Sequence, residues 1–131
     1  MRLVYSSAGS PFARKVRIVL AELGIPVEDD IRPGFRPVEE LREINPNLSL
    51  PVLIDGAMIL FESNLIMDYL FETYASDARP SGDPPLALAM VRPDQRWEDA
   101  KTLATIETFA DTMVNVRHFR GEGSTAETSR Y

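Results

Sequence analysis

Apolar and polar positions along the chain change period several times, and each change marks an element. Leu3-Val4-Tyr5 is a short extended run that turns at Ala8-Gly9. From Ser10 the period becomes helical, with Phe12, Val16, Val19, Leu20 and Leu23 on one face and Gly24 and Pro26 as stop signals. Residues 27–32 read as a second strand with an acidic middle, and Pro33, Gly34 and Pro37 mark a loop. Val38, Leu41 and Ile44 predict a short helix that ends at Asn45-Pro46, since the residue before a proline is pushed out of the α region. Val52-Leu53-Ile54 and Met58-Ile59-Leu60-Phe61 flank Asp55-Gly56, a hairpin signal. A helix then opens at Ser63, with Leu65, Ile66, Tyr69, Leu70 and Tyr74 as its apolar face.

The order strand, helix, strand, helix, hairpin, helix predicts a parallel βαβ half joined to an antiparallel ββα half, an α/β sandwich of about 75 residues. After it, Ala75 to Pro93 reads as a Pro-, Asp- and Gly-containing linker. Asp94 to Phe119 then reads as one long helix with Trp97, Leu103, Ile106, Phe109, Ala110, Met113, Val114 and Val116 largely on one side. A solitary amphipathic helix cannot bury its apolar face alone, so it needs a partner chain, further helices or the flank of the α/β domain. The expected organisation is a domain at 1–76, a linker at 77–93, the start of an incomplete helical domain at 94–119 and a polar, disordered tail at 120–131.

Composition narrows the function classes. A net charge of −6 gives no reason to expect nucleic acid or an anionic membrane as partner. No apolar run approaches transmembrane length, and Met1 to Tyr5 is too short for a signal peptide, so a cytoplasmic protein is expected. Without cysteine there is no disulfide and no thiolate metal site, and the single histidine, His118, leaves no His-based metal site or serine-hydrolase triad.

Two junctions carry candidate chemistry. At Ser10-Pro11 a strand delivers a hydroxyl to a helix N-terminus, with Pro11 at the first helical position, where its missing N–H costs nothing. Free amides and the helix dipole there favour negative charge, so a bound thiolate would be stabilised. The competing reading is a plain helix cap. Glu62-Ser63 repeats the arrangement, with Ser63 as N-cap: the helix mouth suits a carboxylate and Glu62 an ammonium group. Here too the plain cap is the alternative. Pro51 stands at the first residue of a strand, a position where a sheet tolerates proline. Spacing alone favours a trans bond, because only about 5–6% of X-Pro bonds are cis.

Three motifs in this order resemble the N-terminal, thioredoxin-like domain of the glutathione S-transferase family: Ser10-Pro11-Phe12-Ala13-Arg14-Lys15-Val16-Arg17, then Asn45-Pro46 leading to Leu50-Pro51-Val52-Leu53, then Glu62-Ser63-Asn64-Leu65-Ile66. The resemblance covers roughly residues 2–76. It implies that Ser10 faces the sulfur of glutathione, that Pro51 is the family's cis-proline with Val52 offering its backbone to the cysteinyl part, and that Glu62 and Ser63 hold the γ-glutamyl end. Ser49 stands where members often carry Lys or Gln, a shorter reach toward the glycine carboxylate. The implied activity is attack of a glutathione thiolate on a small electrophile, with glutathione as co-substrate, no metal, and a homodimer as the working form. A non-catalytic interaction or dimerisation module of the same fold, or a truncated transferase fragment, is the alternative. The absence of cysteine excludes the cysteine-type members and a dithiol role.

Overall fold

A computed structural model of the chain describes residues 2–32, 39–74 and 93–121. Two compact units are present, Met1–Met90 and Val91–Tyr131. The first contains a four-stranded mixed sheet in the order β2-β1-β3-β4. β1 (Arg2–Ser7) runs parallel to β2 (Glu28–Arg32) and antiparallel to β3 (Val52–Asp55), which pairs antiparallel with β4 (Met58–Phe61). α1 (Pro11–Glu22) connects the parallel pair, and α2 (Ser63–Tyr74) follows the hairpin. This is the expected thioredoxin-like α/β arrangement.

Each connection has a local cause. α1 starts on Ser10, whose hydroxyl accepts from Ala13 N (3.2 Å). It ends in a Schellman motif: Ile25 N donates to Leu20 O (2.9 Å) and Gly24 N to Ala21 O (3.0 Å). That turn requires a left-handed residue, and Gly24, at φ 65°, supplies it without a Cβ penalty. Val4 and Leu53 lie opposite each other in the sheet and face Val16, Val19 and Leu20 of α1 and Ile66 and Leu70 of α2 in one core. Both helices therefore cover the same sheet face. Each fully buried aliphatic side chain contributes about 1.5–3 kcal/mol. Val52, one residue out of phase with Leu53, is buried as well, as is Leu41.

The short helix expected over 38–44 is present as a 3-10 helix at Glu39–Glu43. Val38 and the loop expected at Pro33, Gly34 and Pro37 lie outside the described residues. Other expectations are corrected. Leu65, expected on the buried face of α2, is exposed, and Ser63 is buried instead. The bond before Pro51 is cis, as the resemblance implies and against the trans form that spacing alone favours. The linker at 77–92 and the tail beyond Gly121 lie outside the described residues.

In the second unit a 3-10 turn (Pro93–Gln95) leads into α3 (Arg96–Gly121). The helix continues past the expected end at Phe119, through Arg120 and Gly121. Trp97 is exposed, with the Arg96 guanidinium 5.0 Å from the centre of its ring.

Candidate functional site

Strand register brings the two serine junctions to one end of the sheet. Tyr5, Val52 and Phe61 form one cross-strand row near the C-terminal end of β1. Chain leaving that end reaches Ser10 from β1 and Glu62-Ser63 from β4, and chain entering it passes Pro51 into β3. Past the sheet, the Lys15 ammonium on α1 donates to Asn64 Oδ1 at the start of α2. The helix mouths thus sit side by side at the edge where open α/β sheets take ligands.

Ser10 is 6% exposed and has extended backbone (φ −83°, ψ 122°), the conformation expected of a cap. Its carbonyl accepts from Arg14 N (3.1 Å) and its own amide donates to Ser7 O (3.1 Å). The hydroxyl oxygen accepts the Ala13 amide, and a hydroxyl carries one proton of its own, which that bond does not use. A donor and a helix N-terminus therefore coincide at one atom.

The second junction differs from expectation by one residue. Ser63 is the first residue of α2, and Glu62 takes the capping position, with its carbonyl accepting from Ile66 N (3.0 Å). Glu62 has φ 68°, a left-handed conformation rare for a residue with a Cβ. Strain of this kind persists only where the surroundings over-determine it, and it clusters at ligand clamps. Asn47 supplies part of that constraint: its amide donates to Glu62 Oε1 (3.0 Å).

The loop before Pro51 is built around Asn45, which is fully buried. Asn45 Nδ2 donates to Ser49 O (2.7 Å) and to Ser49 Oγ (3.4 Å), and its Oδ1 accepts from Asn47 N (2.9 Å). Leu48, within this turn, also has positive φ, at 50°. Ser49 is thus held by the loop, and Asn45 and Asn47 position the segment that leads into Pro51 and Val52. Sequence reasoning treated Asn45-Pro46 as a helix stop and overlooked Asn47. The signal was present in Asn-Pro-Asn, because Asx side chains bond backbone two residues on and set up turns.

At the opposite sheet end Arg2, Asp55 and Met58 form the matching row. Arg2 Nε lies 3.0 Å from Asp55 Oδ1, and the Tyr69 hydroxyl donates to Asp55 Oδ2 (3.1 Å), as does that of Tyr74. Burial alone would raise the Asp55 pKa, but hydrogen bonds from Tyr74, Arg2 and Tyr69 outweigh it and hold the carboxyl below its ordinary range. The Tyr69 hydroxyl is pushed up to about 12, by burial first and then by its bonds to Tyr74 and Asp55. A separate open groove of about 550 Å³ runs between α1 and β2, lined by Arg14, Ile18, Ala21, Val27 and Asp29 among others. It includes none of the serine-junction residues. Among the described residues no cluster of acidic or histidine side chains could hold a metal ion, and no helix is long and apolar enough to cross a membrane.

Residues 4–81 match the family model for the glutathione S-transferase N-terminal domain. The chain belongs to the glutathione S-transferase family. Among curated members it is 32% identical over 123 residues to the stringent starvation protein A homolog of Pasteurella multocida, covering 91% of this chain and 58% of that protein. It spans about a third to three-fifths of the length of the curated relatives it matches. Among solved structures, a theta-class glutathione S-transferase from Xanthomonas axonopodis with glutathione bound superposes with a TM-score of 0.52 at 28% identity, over 61% of this chain and 42% of that one. The trimeric glutathione transferase of Leishmania superposes with a TM-score of 0.64 at 30% identity, over 81% of this chain and 22% of that one.

Proposed function

We propose that this protein binds glutathione at the shared end of the sheet and stabilises its thiolate for attack on a small electrophile. The observation that carries the reading is the convergence of Ser10, the Leu50–Pro51 bond and Glu62-Ser63 on one sheet edge, each beside a helix N-terminus or a strand start. A free thiol has a pKa near ~8.5, and only its thiolate attacks well. The Ser10 hydroxyl would donate to the sulfur as a hydrogen-bonding group, not as a covalent nucleophile, and the α1 dipole would add to the stabilisation. A pKa lowered by about two units corresponds to roughly 2.7 kcal/mol. Glu62 and the α2 N-terminus would receive the ammonium and carboxylate of the γ-glutamyl end, and Val52 and Ser49 the remainder of the tripeptide. Glutathione bound to the theta-class neighbour supports this assignment. The working form is a cytoplasmic homodimer.

A second reading is a non-catalytic module of the same fold. The relatives described as stringent starvation protein A homologs favour it. Retention on immobilised glutathione together with a thiolate absorbance that disappears in Ser10→Ala supports the transferase. Retention without a thiolate band overturns the catalytic part and leaves the module.

A further inference from the structure

A single tripeptide held at both serine junctions needs two helix mouths at one fixed separation, and the strand directions make that separation costly to keep. β1 and β4 are each antiparallel to β3, so both end at the same edge of the sheet, and α1 and α2 run back over one face. Their N-terminal ends are therefore neighbours, and like dipole ends repel. The shared core joins the helices from Val16 and Ile66 onward, through Leu20 and Leu70. The capping residues Ser10 and Glu62 lie outside that core.

Lys15 spans the two openings. Its ammonium donates to Asn64 Oδ1, two residues after the Glu62 cap, and lies 5.8 Å from the centre of the Phe12 ring in the first turn of α1. One cation is thus fixed against the opening turns of both helices. Stability alone accounts poorly for it. Ordering a lysine costs side-chain entropy comparable to what one such bond returns, and a cation is disfavoured beside helix N-termini. The effect of the bond is geometric. Asn64 directly follows Glu62 and Ser63, so fixing its side chain fixes the turn that carries them relative to Ser10.

We propose that Lys15 is a positioning residue for glutathione, acting through Asn64 to keep the α2 opening in register with Ser10. The γ-glutamyl end and the sulfur then meet their partners together, and the ordering that binding would otherwise impose is already in place. The proposal rests on the glutathione reading above and adds a residue to it. In this role Lys15 does not act on the sulfur, whose thiolate is left to the Ser10 hydroxyl and the α1 dipole.

The test is calorimetric titration of the 131-residue chain with glutathione, paired with thiolate absorbance of the bound form against pH and with urea unfolding. Lys15→Met keeps the methylene stem and removes the donor. It is expected to bind glutathione about fivefold more weakly, the scale of ordering one long side chain on binding, with both midpoints as in the wild type. Lys15→Arg, which can still donate to Asn64, is expected near wild-type affinity. Asn64→Leu removes the acceptor. The double variant is expected to bind no more weakly than Asn64→Leu alone, because the two side chains act as one unit. Wild-type affinity in Lys15→Met, additive losses in the double variant, or an unfolding midpoint that falls in step with affinity overturns the positioning role and leaves the glutathione site standing. A thiolate midpoint that rises in Lys15→Met overturns it as well, since the ammonium would then act on the sulfur directly. A wild-type chain that does not bind glutathione overturns both.

Discussion

The two ends of the sheet solve opposite problems with similar residues. At the Arg2 end, Asp55 is enclosed by a guanidinium and two phenols, and the Arg2 guanidinium also stacks 4.9 Å from the centre of the Tyr74 ring. Tyr69 and Tyr74 meet edge to face with ring centres 6.2 Å apart. This network closes on itself and ties the last turn of α2 to the first residue of β1. At the Ser10 end, the hydroxyl proton is left over after capping, Glu62 and Leu48 occupy left-handed backbone, and the Glu62 carboxylate accepts from the Asn47 amide. A closed network lowers the energy of the fold. Strained backbone and a spare hydroxyl proton at the Ser10 end accord with the glutathione site proposed above.

Breaking the closed end gives the largest expected effect. Asp55→Ala leaves Arg2, Tyr69 and Tyr74 without their common acceptor, and unpairing the donors of such a half-buried network costs about 2 kcal/mol. Urea unfolding of this variant should show that loss, while glutathione retention under folding conditions stays at the wild-type level. Equal loss of both would mean that the two ends are not separate in function.

The mirror experiment is Ser10→Ala. Loss of a cap costs about 1 kcal/mol of stability, but loss of the sulfur's donor shifts thiolate chemistry more. A bound thiol returning from a pKa of about 6.5 to about 8.5 has a roughly twenty-five-fold smaller thiolate fraction at pH 7. A titration of bound glutathione followed by thiolate absorbance checks it. If stability falls and the titration does not move, Ser10 is only a cap.

The difference between the ends also explains what could be read from residues alone. Ser-Pro before an apolar helical face, Asp-Gly between two strand runs and Gly24 after a helix each act through contacts a few residues long, so the fold and the positions of the junctions were legible. Resemblance supplied what spacing could not at Pro51, where both bond isomers fit the same residues. Val38, Leu41 and Ile44 stand three residues apart, a spacing that suits one turn of either helix type, so a short helix was legible there and its 3-10 geometry was not. Leu65 went wrong because the buried face of α2 is set by where α1 lies, through Val16 and Leu20, and that is tertiary information. The Asp55 network joins residues from β1, β3 and α2, and Asn47 reaches Glu62 across the β3–β4 hairpin, so no local pattern announces either.

Asn47 offers a finer probe of the open end. Its amide is exposed where it meets Glu62, so Asn47→Ala should change the global unfolding midpoint by no more than a degree or two. Losing one hydrogen bond to a charged group is worth about 1 kcal/mol at an exposed position, or roughly fivefold in affinity. Calorimetric titration with glutathione should show that weakening. Unchanged affinity would remove Glu62 from the binding assignment and leave its left-handed backbone unexplained.

A last effect is one of pH, and it belongs to the closed end alone. Asp55 titrates lower in the folded protein than in the unfolded chain, so its contribution is present above the ordinary carboxylate pKa and is lost as pH falls through the folded value. Tyr69 behaves in the opposite sense. Its folded pKa, pushed up to about 12, exceeds the ordinary value near 10, so the folded state holds the proton longer. That contribution is complete below pH ~10 and disappears as pH rises toward about 12. Unfolding midpoints measured against pH should therefore fall on both the acid and the alkaline side. Asp55→Asn should flatten the acid arm and Tyr69→Phe the alkaline one. Ser10→Ala should leave the shape of both arms as in the wild type, because the serine at the other end of the sheet carries no titrating group. A change in either arm caused by Ser10→Ala would couple the two ends and undo the division of labour between them.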